Sequence, residues 1–402
     1  MQNEKIRFVD CTLRDGEQAP GVFFTLEEKL AIADLLNEAG VDVLDAGMPS
    51  VSAEEVRTLE ALLERGYQTT IAATVRALRS EIDLAVSCEL KEVFLFMPVS
   101  PQHLRHKFGI TLQEARTRIA DAVRYAVARG LRVNFVAEDT VRADAEELAP
   151  VFDQVSELGA ASVIICDTVG VMRPELMSRF INRLREGMKS EIVFGVHCHN
   201  DYGLAAANTL AAVGAGCTLV TGTVNGLGER AGNAPLEEVI CALINLYGLK
   251  LDVDTLVLQR LCETVAVASG LFITPTKPIV GLNVFRHESG VHVDGMLKDP
   301  STYESINPEL LGREHQFLLG KHSGRGLVET LLAHEGIESA PETIMQILER
   351  IKRAKVTRDK VPFSEMAARL QQFWSQQLSF SEEEFWQIVN EELKLEQRAT
   401  AA

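Results

Sequence analysis

Two histidines that flank a single residue carry the clearest chemical signal in the sequence. His197 and His199 lie in the run IVFGVHCH, whose β-branched and apolar residues predict a β-strand. Side chains alternate between the two faces of a strand, so both imidazoles are expected on one face and Cys198 on the other. Two same-face histidines at a strand end favour a metal site, although a pair of hydrogen-bonded core histidines would show the same pattern.

Oxygen ligands that could complete a metal site follow two other predicted strands. Asp15 comes shortly after the first strand, and Asn233 comes after the eighth. If the sheet closes into a barrel, both side chains would lie beside the end of the seventh strand, which carries the histidines. Two imidazoles and two oxygens suit a divalent ion such as Zn²⁺, Mn²⁺ or Mg²⁺.

Further charged residues stand at predicted strand ends. Arg14 precedes Asp15, which indicates either a surface ion pair or a guanidinium that binds a carboxylate and stabilises a developing alkoxide. Glu138 ends the fifth strand and is either a solvated carboxylate or a functional group near the barrel axis. The run GLGERAGNAP, which contains Glu229 and Arg230, is by itself only a loop before a helix.

The elements that position these residues alternate regularly up to about residue 250. Eight short apolar or β-branched runs predict strands, and the stretches between them predict helices. Thr25 with Glu28, and Thr111 with Glu114, have the spacing of capping boxes, and Gly40 stands where the first helix should end. Eight strands with eight following helices, the last over about 236–246, predict a (β/α)₈ TIM barrel.

An open doubly wound sheet is built from the same units, because periodicity does not show that a sheet closes. Two features favour the barrel: no glycine-rich dinucleotide fingerprint follows the first strand, and the polar residues cluster late in the strands. We predict a catalytic barrel over 1–255, a linker and lid segment over 256–330, and a helical C-terminal subdomain over 331–402. Two helices are expected in that subdomain, near 341–356 and 382–396.

Composition excludes several classes of protein. The 402 residues carry a formal net charge of −17, which argues against a nucleic-acid partner. No apolar run approaches the roughly 20 residues of a membrane helix, and the amino end lacks the apolar stretch of a signal peptide. Seven scattered cysteines without disulfide-like spacing indicate a reducing setting. These features predict a cytoplasmic protein with no membrane partner.

Four motifs together resemble one enzyme family. FVDCTLRDGEQAPG, GVHCHNDYGLAAANT, NGLGERAGNAPLEEV and HESGVHVDG…GKHSG are similar to the acyl-CoA:2-oxoacid condensing enzymes, namely the homocitrate, 2-isopropylmalate and citramalate synthases. The resemblance runs from about residue 5 to about residue 330. Isopropylmalate and citramalate synthases commonly carry an additional regulatory domain, and the roughly 70 residues after GKHSG favour the shorter homocitrate type.

The resemblance implies a metal-assisted condensation. Asp15, His197 and His199 would be metal ligands, with Asn233 at the fourth position of the pattern. The ion, Mn²⁺, Mg²⁺, Zn²⁺ or Co²⁺, would polarise the 2-oxoacid carbonyl, and the enolate of acetyl-CoA would add to it. Hydrolysis of the resulting thioester would release CoA. In relatives the lid segment covers the active site of the partner subunit, which implies a homodimer.

The same resemblance assigns roles to further residues. Arg14 would bind the 2-oxoacid and its oxyanion, Thr168 would hydrogen-bond the substrate's 1-carboxylate, and Glu138 with His292 would form a catalytic pair in which His292 is the base. Tyr303 is the lid tyrosine expected to reach the site. Gln18, in the first motif, is also expected to contact substrate. Two alternatives remain open: a lyase of the same barrel family, against which the lid motif counts, and a binding protein without activity.

The pocket for the distal end of the 2-oxoacid departs from the lysine-pathway homocitrate synthases. Asn134 and Val136 replace an arginine and a serine that serve the distal carboxylate, and Phe94 and Phe96 replace a histidine and a serine. Asp45 stands where a glutamate is usual. A distal carboxylate would be costly to desolvate beside two phenyl rings.

Three cations could compensate for the missing arginine: Arg76, or His103 and Arg105 in SPQHLRHKFG. Phe94 and Phe96 would then be ordinary barrel packing. Nitrogenase-associated homocitrate synthases also lack that arginine, so homocitrate remains the first expectation for the product. The alternatives are condensations with 2-oxoisovalerate, oxaloacetate or phosphonopyruvate.

Overall fold

A closed barrel of eight parallel strands forms the centre of the molecule. The computed structural model describes residues 5–360, 362–378 and 380–393. Each strand pairs with the next, and the eighth closes on the first, with Arg7 opposite Leu219. The strands are β1 Arg7–Asp10, β2 Val43–Asp45, β3 Thr70–Arg76, β4 Glu92–Pro98, β5 Arg132–Glu138, β6 Ser162–Asp167, β7 Val193–Cys198 and β8 Leu219–Gly222. The predicted TIM barrel is therefore confirmed, and the open sheet is excluded.

Helices follow the strands and cover the barrel. Those up to β8 are α1 Leu26–Ala39, α2 Ala53–Glu64, α3 Arg79–Ser87, the short α4 Pro101–His103, α5 Leu112–Ala128, α6 Ala145–Glu157, α7 Pro174–Gly187 and α8 Ala205–Gly214. After β8 come α9 Leu236–Asn245, α10 Leu258–Ser269, α11 Gly290–Lys298, α12 Arg325–His334, α13 Pro341–Thr357, α14 Phe363–Gln377 and α15 Glu382–Leu393. None of these described helices is long and apolar enough to cross a membrane.

The predicted helix starts owe their position to side-chain caps. Thr25 and Thr111 accept hydrogen bonds from the backbone N–H groups of Glu28 and Glu114, whose carboxylates bond back to the cap residues. Both capping boxes are confirmed. Gly40 ends α1 with a φ of 79°, a left-handed conformation that glycine adopts without steric cost.

Every second residue of each strand points into the barrel, and these inward side chains fill its interior. At the level nearest the amino ends, the Asn134 amide donates to Glu92 Oε1 at 2.8 Å and accepts from Ser162 Oγ at 2.7 Å. Above it lies an apolar layer of Val9, Cys11, Val43, Ala72, Phe94, Ile164, Cys166 and Leu219. This layer separates the buried polar group below from the carboxyl ends of the strands above.

The chain beyond the barrel forms smaller units. Helix α10 packs against α1, and its apolar face is part of the core that surrounds the barrel. Arg286–His287 (β9) and Gln316–Phe317 (β10) form a short parallel pair, and α12 packs on α13. The expected helices near 341–356 and 382–396 correspond to α13 and α15, with residues 394–396 outside the described part of the chain. Helices α10, α11, α12 and α14 were not predicted from the sequence. The proposed domain boundaries stay a prediction.

Candidate metal and substrate site

A cavity of about 290 Å³ opens at the carboxyl ends of the barrel strands. Residues from all eight strands or the loops that follow them line it: Cys11, Arg14, Asp15, Gln18, Asp45, Met48, Thr74, Phe94, Phe96, Val136, Glu138, Ile164, Cys166, Thr168, His197, His199, Thr221, Glu229 and Arg230. Most of the residues predicted from the sequence to form the site therefore share one cavity. Its position is the active-site face expected of a TIM barrel.

Asp15, His197 and His199 come together as predicted, and all three are buried. Oδ2 of Asp15 lies 3.0 Å from Nε2 of His197 and 3.9 Å from Nε2 of His199. Period-two alternation on β7 turns Cys198 away, and that residue packs in the outer core. The three potential ligand atoms converge on one point, which satisfied core histidines would have no reason to do.

The protonation of His197 follows from its hydrogen bonds. Thr221 Oγ1 donates its one hydrogen to the carbonyl of Val196 at 3.0 Å, so it accepts from Nδ1 of His197 at 2.7 Å. A neutral His197 therefore carries its proton on Nδ1 and presents the lone pair of Nε2 to Asp15. A lone pair 3.0 Å from a carboxylate oxygen is stabilised by a cation between them.

His199 and Asn233 provide further donor atoms. Burial, and next the charge of His197, lower the pKa of His199 to about 4, which keeps the imidazole neutral and able to bind a metal at pH 7. Asn233 donates from Nδ2 to Asp15 Oδ2 at 2.8 Å, while its carbonyl Oδ1 is buried without a hydrogen-bond partner in the described structure. This donor set of nitrogens and oxygens fits a divalent ion.

Arg14 lies between two buried carboxylates. Its Nε donates to Asp45 Oδ2 at 2.8 Å, and its Nη1 lies 3.4 Å from Asp15 Oδ2. Although burial opposes both charges, Arg14 and the two histidines hold the pKa of Asp15 below its usual range, and the carboxylates raise the pKa of Arg14. Thr74 also donates to Asp45 at 2.8 Å. The Arg14–Asp15 pair is thus part of the cavity and not a surface ion pair.

Glu138, the last residue of β5, and Thr168, which directly follows β6, line the cavity. The hydroxyl oxygen of Thr168 accepts a 2.9 Å bond from the backbone N–H of Asp139, so its hydrogen is available to donate to a bound anion. Glu138 Oε1 accepts from Lys107 Nζ at 2.8 Å and lies 3.3 Å from His103 Nδ1. Glu138 Oε2 is buried and has no hydrogen-bond partner in the described structure. It is the one oxygen of this carboxylate without a hydrogen bond in the described structure.

Part of the cavity lining is apolar, and both arginines among the described lining residues, Arg14 and Arg230, are paired with carboxylates. Phe94, Phe96 and Val136 form the apolar part, together with Met48 and Ile164. The second arginine of the cavity, Arg230, donates to both oxygens of Asp201 and to the carbonyl of Thr168.

The three cations that could have compensated for the missing arginine do not line the cavity. Arg76 is paired with Glu81, and His103 lies between Glu138 and Asp139. Arg105 is exposed. None of these three candidates brings a free guanidinium or imidazole into the described lining of the cavity.

Five of the predicted site residues do not line this cavity: His103, Asn134, Asn233, His292 and Tyr303. Asn134 shares the inward face of β5 with Val136, as predicted, but its amide is bonded to Glu92 and Ser162 one layer deeper. His292 and Tyr303 stack on each other with ring centroids 4.1 Å apart, outside the cavity of their own chain. Asn134 therefore does not line the cavity, and its role in a distal pocket stays a prediction.

Several residues of the site escaped the sequence reasoning. Thr221, Thr74 and Met48 contact or line the cavity. Thr221 lies on β8, and counting by twos along LVTG would have placed it on the inward face beside Leu219. Thr74 could have been found in the same way from Ala72 on β3. Met48 follows β2 in a loop, where no periodicity applies.

Comparisons with known proteins identify the relatives of this chain. A family model described as HMGL-like matches residues 5–266, and one described as homocitrate synthase post-HMGL domain-like matches residues 279–359. The chain is 45% identical over 363 residues to a homocitrate synthase of Methanopyrus kandleri, covering 89% of this chain and 91% of the relative. It is 41% identical over 358 residues to a 2-isopropylmalate synthase of Methanocaldococcus jannaschii, covering 89% and 69% respectively.

Other similarities extend to citramalate synthases and to solved lyase structures. An (R)-citramalate synthase of Methanocaldococcus jannaschii is 42% identical over 347 residues, which cover 86% of this chain and 70% of that protein. The HMG-CoA lyase of Bacillus subtilis superposes with a TM-score of 0.60 at 20% identity, over 67% of this chain and 95% of that chain, which shows the shared fold. The chain therefore belongs to the HMGL-like family and, within it, to the acyl-transferring condensing enzymes that include the homocitrate and 2-isopropylmalate synthases.

Proposed function

We propose that the chain catalyses a metal-dependent Claisen condensation of acetyl-CoA with a 2-oxoacid, followed by hydrolysis of the thioester. The observation that carries this proposal is the convergence of Asp15, His197, His199 and Arg14 in one cavity that also presents the Thr168 hydroxyl. A divalent ion bound there would act as a Lewis acid on the 2-oxoacid. The synthase relatives support the same chemistry.

The residues of the barrel bind and orient the 2-oxoacid. Thr168 donates to the 1-carboxylate, and Arg14 places a guanidinium beside the carbonyl oxygen, where negative charge grows as the carbon–carbon bond forms. The buried contact with Asp45 holds that guanidinium in place. Gln18, which lines the same cavity, is a further donor for the bound acid.

The methyl group of acetyl-CoA is a weak carbon acid and needs a positioned base. We assign this role to His292, assisted by Tyr303 and by Glu138, which would take part through its free Oε2. His292 and Tyr303 lie outside the cavity of their own chain, so we propose that they reach the cavity of the partner subunit in a homodimer. All seven cysteines are free thiols, which supports a cytoplasmic setting.

Mixing two inactive variants tests the contribution of the partner subunit. Arg14→Met lacks a barrel residue and His292→Ala lacks a lid residue, so neither homodimer is expected to turn over. If the lid acts on the partner, half of the dimers in an equal mixture are heterodimers with one intact site each. Activity should then return to about a quarter of the wild-type value after subunit exchange. Absence of any recovery, with exchange verified by mass spectrometry, would contradict a lid supplied by the partner.

The 2-oxoacid that the cavity fits best has a short, uncharged distal end, such as 2-oxoisovalerate or pyruvate. The apolar wall of Phe94, Phe96 and Val136 supports this choice over 2-oxoglutarate, whose distal carboxylate would be desolvated without a partner. The homocitrate synthase among the relatives keeps 2-oxoglutarate as the second candidate. Release of CoA, followed with a thiol reagent across a panel of 2-oxoacids that includes oxaloacetate and phosphonopyruvate, tests the proposal.

Placing a cation in the apolar wall should change the preference. We expect Val136→Arg to raise kcat/KM for 2-oxoglutarate relative to 2-oxoisovalerate by about 10-fold or more, because one charge-assisted hydrogen bond is worth about 1.5–3 kcal/mol. Val136→Met, which adds bulk without charge, is the matched control. If the wild type already prefers 2-oxoglutarate and Val136→Arg brings no gain, the argument from the apolar wall is wrong.

A further inference from the structure

One arginine joins the three loops that follow β6, β7 and β8. Arg230 belongs to the loop after β8, in the run GLGERAGNAP. Its Nε donates to Asp201 Oδ1 at 2.8 Å and its Nη2 to Asp201 Oδ2 at 2.9 Å, and Asp201 lies in the loop after β7. The same Nη2 donates at 2.8 Å to the backbone carbonyl of Thr168, which follows β6. Two of these loops also carry residues of the candidate metal site, His199 and Asn233.

The local backbone is built around these contacts. The paired bonds to Asp201 use the planar, parallel donors of a guanidinium, and the second hydrogen on Nη2 is left for the carbonyl. Asp201 packs against Gly170, where a Cβ would lie 2.5 Å from Oδ2. Arg230 itself has a φ of 57°, in the left-handed region that residues other than glycine seldom occupy. Such a backbone persists where surrounding contacts hold it, and it is often found at functional sites.

Thr168 is held at two points. Its carbonyl accepts the bond from Arg230, and its hydroxyl oxygen accepts the 2.9 Å bond from the backbone N–H of Asp139. The first contact fixes the backbone of Thr168, and the second fixes the side-chain oxygen. Thr168 lines the cavity, so the single hydroxyl hydrogen can donate to a ligand bound there. A shift of the Thr168 backbone would move this donor.

We propose that Arg230, held by Asp201, is a positioning residue that directs the Thr168 hydroxyl towards the 1-carboxylate of the 2-oxoacid. Arg230 then contributes to substrate affinity through Thr168, because its Nε and Nη2 are engaged by Asp201 and by the Thr168 carbonyl. Its remaining nitrogen, Nη1, lies 3.9 Å from Glu229 Oε2. This role rests on the proposed function, in which Thr168 binds the 2-oxoacid. It also explains why the loop after β8 carries an arginine.

A double-mutant cycle tests this role in the full-length protein loaded with metal. The ligand is the 2-oxoacid that gives the highest kcat/KM in the panel, and its Kd is measured by isothermal titration calorimetry without acetyl-CoA. Thr168→Val removes the hydroxyl and should weaken binding about 10–100-fold, the value of a hydrogen bond to a charged group. Arg230→Met removes the guanidinium and should weaken binding about fivefold or more. The double variant should bind within about twofold of Thr168→Val, because no hydroxyl is left to position.

The conservative variant and a second arginine provide the controls. Arg230→Lys keeps a positive charge and one group of donors, and its Kd should lie between those of the wild type and Arg230→Met. Metal content and the KM for acetyl-CoA should change less than about twofold in Arg230→Met. Arg183→Met is the matched control, because Arg183 pairs with Glu146 at 2.6 Å between α7 and α6, and it should bind the 2-oxoacid as the wild type does.

Several results would overturn the role of Arg230 and leave the proposed function intact. One is wild-type affinity in Arg230→Met while Thr168→Val binds weakly. Another is a double variant that binds at least fivefold more weakly than Thr168→Val, which would show that Arg230 acts on the 2-oxoacid independently of Thr168. A loss of metal in Arg230→Met, or an equal loss of affinity in Arg183→Met, would indicate an effect on the metal site or on the fold. Wild-type affinity in Thr168→Val would instead reject the proposed role of Thr168, and that of Arg230 with it.

Discussion

His197→Ala is expected to lose both bound metal and condensation activity, with kcat/KM reduced by about 1,000-fold or more. The substitution removes one of three converging ligand atoms, and metal-based polarisation of a carbonyl is worth several kcal/mol. Metal content is measured by inductively coupled plasma mass spectrometry on the purified protein, and activity by CoA release. EDTA treatment of the wild type should have the same effect, and Mn²⁺, Mg²⁺, Co²⁺ or Zn²⁺ should restore turnover.

A surface histidine provides the control for this variant. His334 is 84% exposed at its side chain, and His334→Ala should retain metal and activity. His292→Ala should also retain metal but should lose exchange of the acetyl-CoA methyl protons with deuterated solvent. Full turnover of a metal-stripped wild type, or unchanged metal content in His197→Ala, would show that these histidines do not form a metal site.

Arg14→Met should reduce kcat/KM by about 100–10,000-fold while metal stays bound. The guanidinium is expected to make charge-assisted hydrogen bonds with the 2-oxoacid and its oxyanion, each worth about 1.5–3 kcal/mol. Its removal also leaves Asp45 as a buried carboxylate without its partner, which can cost about 3–5 kcal/mol of stability.

The double variant Arg14→Met/Asp45→Asn separates these two effects. It should recover the thermal stability that Arg14→Met loses, because the unpaired charge is gone, and it should remain inactive. Arg14→Lys keeps the positive charge but loses the planar guanidinium with its parallel N–H donors. We expect its activity to lie between those of the wild type and Arg14→Met. Wild-type kcat/KM in Arg14→Met would contradict a role for this residue in binding the 2-oxoacid.

The metal site could be predicted from the sequence because its geometry follows from regular rules. Alternation along β7 places His197 and His199 on one face, and closure of the barrel brings residues after β1 and β8 beside them. Asp15 and Asn233 are 218 positions apart in the chain, yet they hydrogen-bond at 2.8 Å. Only closure, which the sequence did not establish by itself, makes them neighbours.

The depth of a residue inside the barrel could not be read in the same way. Asn134 and Val136 share a face of β5, but two residues along a strand are separated by about 6.6 Å. The sequence does not show which of two such residues reaches the cavity. In the structure Val136 lines the cavity, whereas Asn134 hydrogen-bonds with Glu92. The lid residues His292 and Tyr303 were a similar case, since their position relative to a cavity depends on packing between distant segments or subunits.

Formation of the new carbon–carbon bond tests the central proposal most directly. Acetyl-CoA labelled with ¹³C at the methyl carbon is incubated with the metal-loaded protein and either 2-oxoisovalerate or pyruvate, and the products are followed by NMR. We predict that the label appears in a CH₂ group attached to a quaternary, hydroxyl-bearing carbon, with one CoA released per product, and that His197→Ala forms none. Release of CoA with the label remaining in free acetate, for every 2-oxoacid tried, would contradict a condensation and show that the protein is not a synthase.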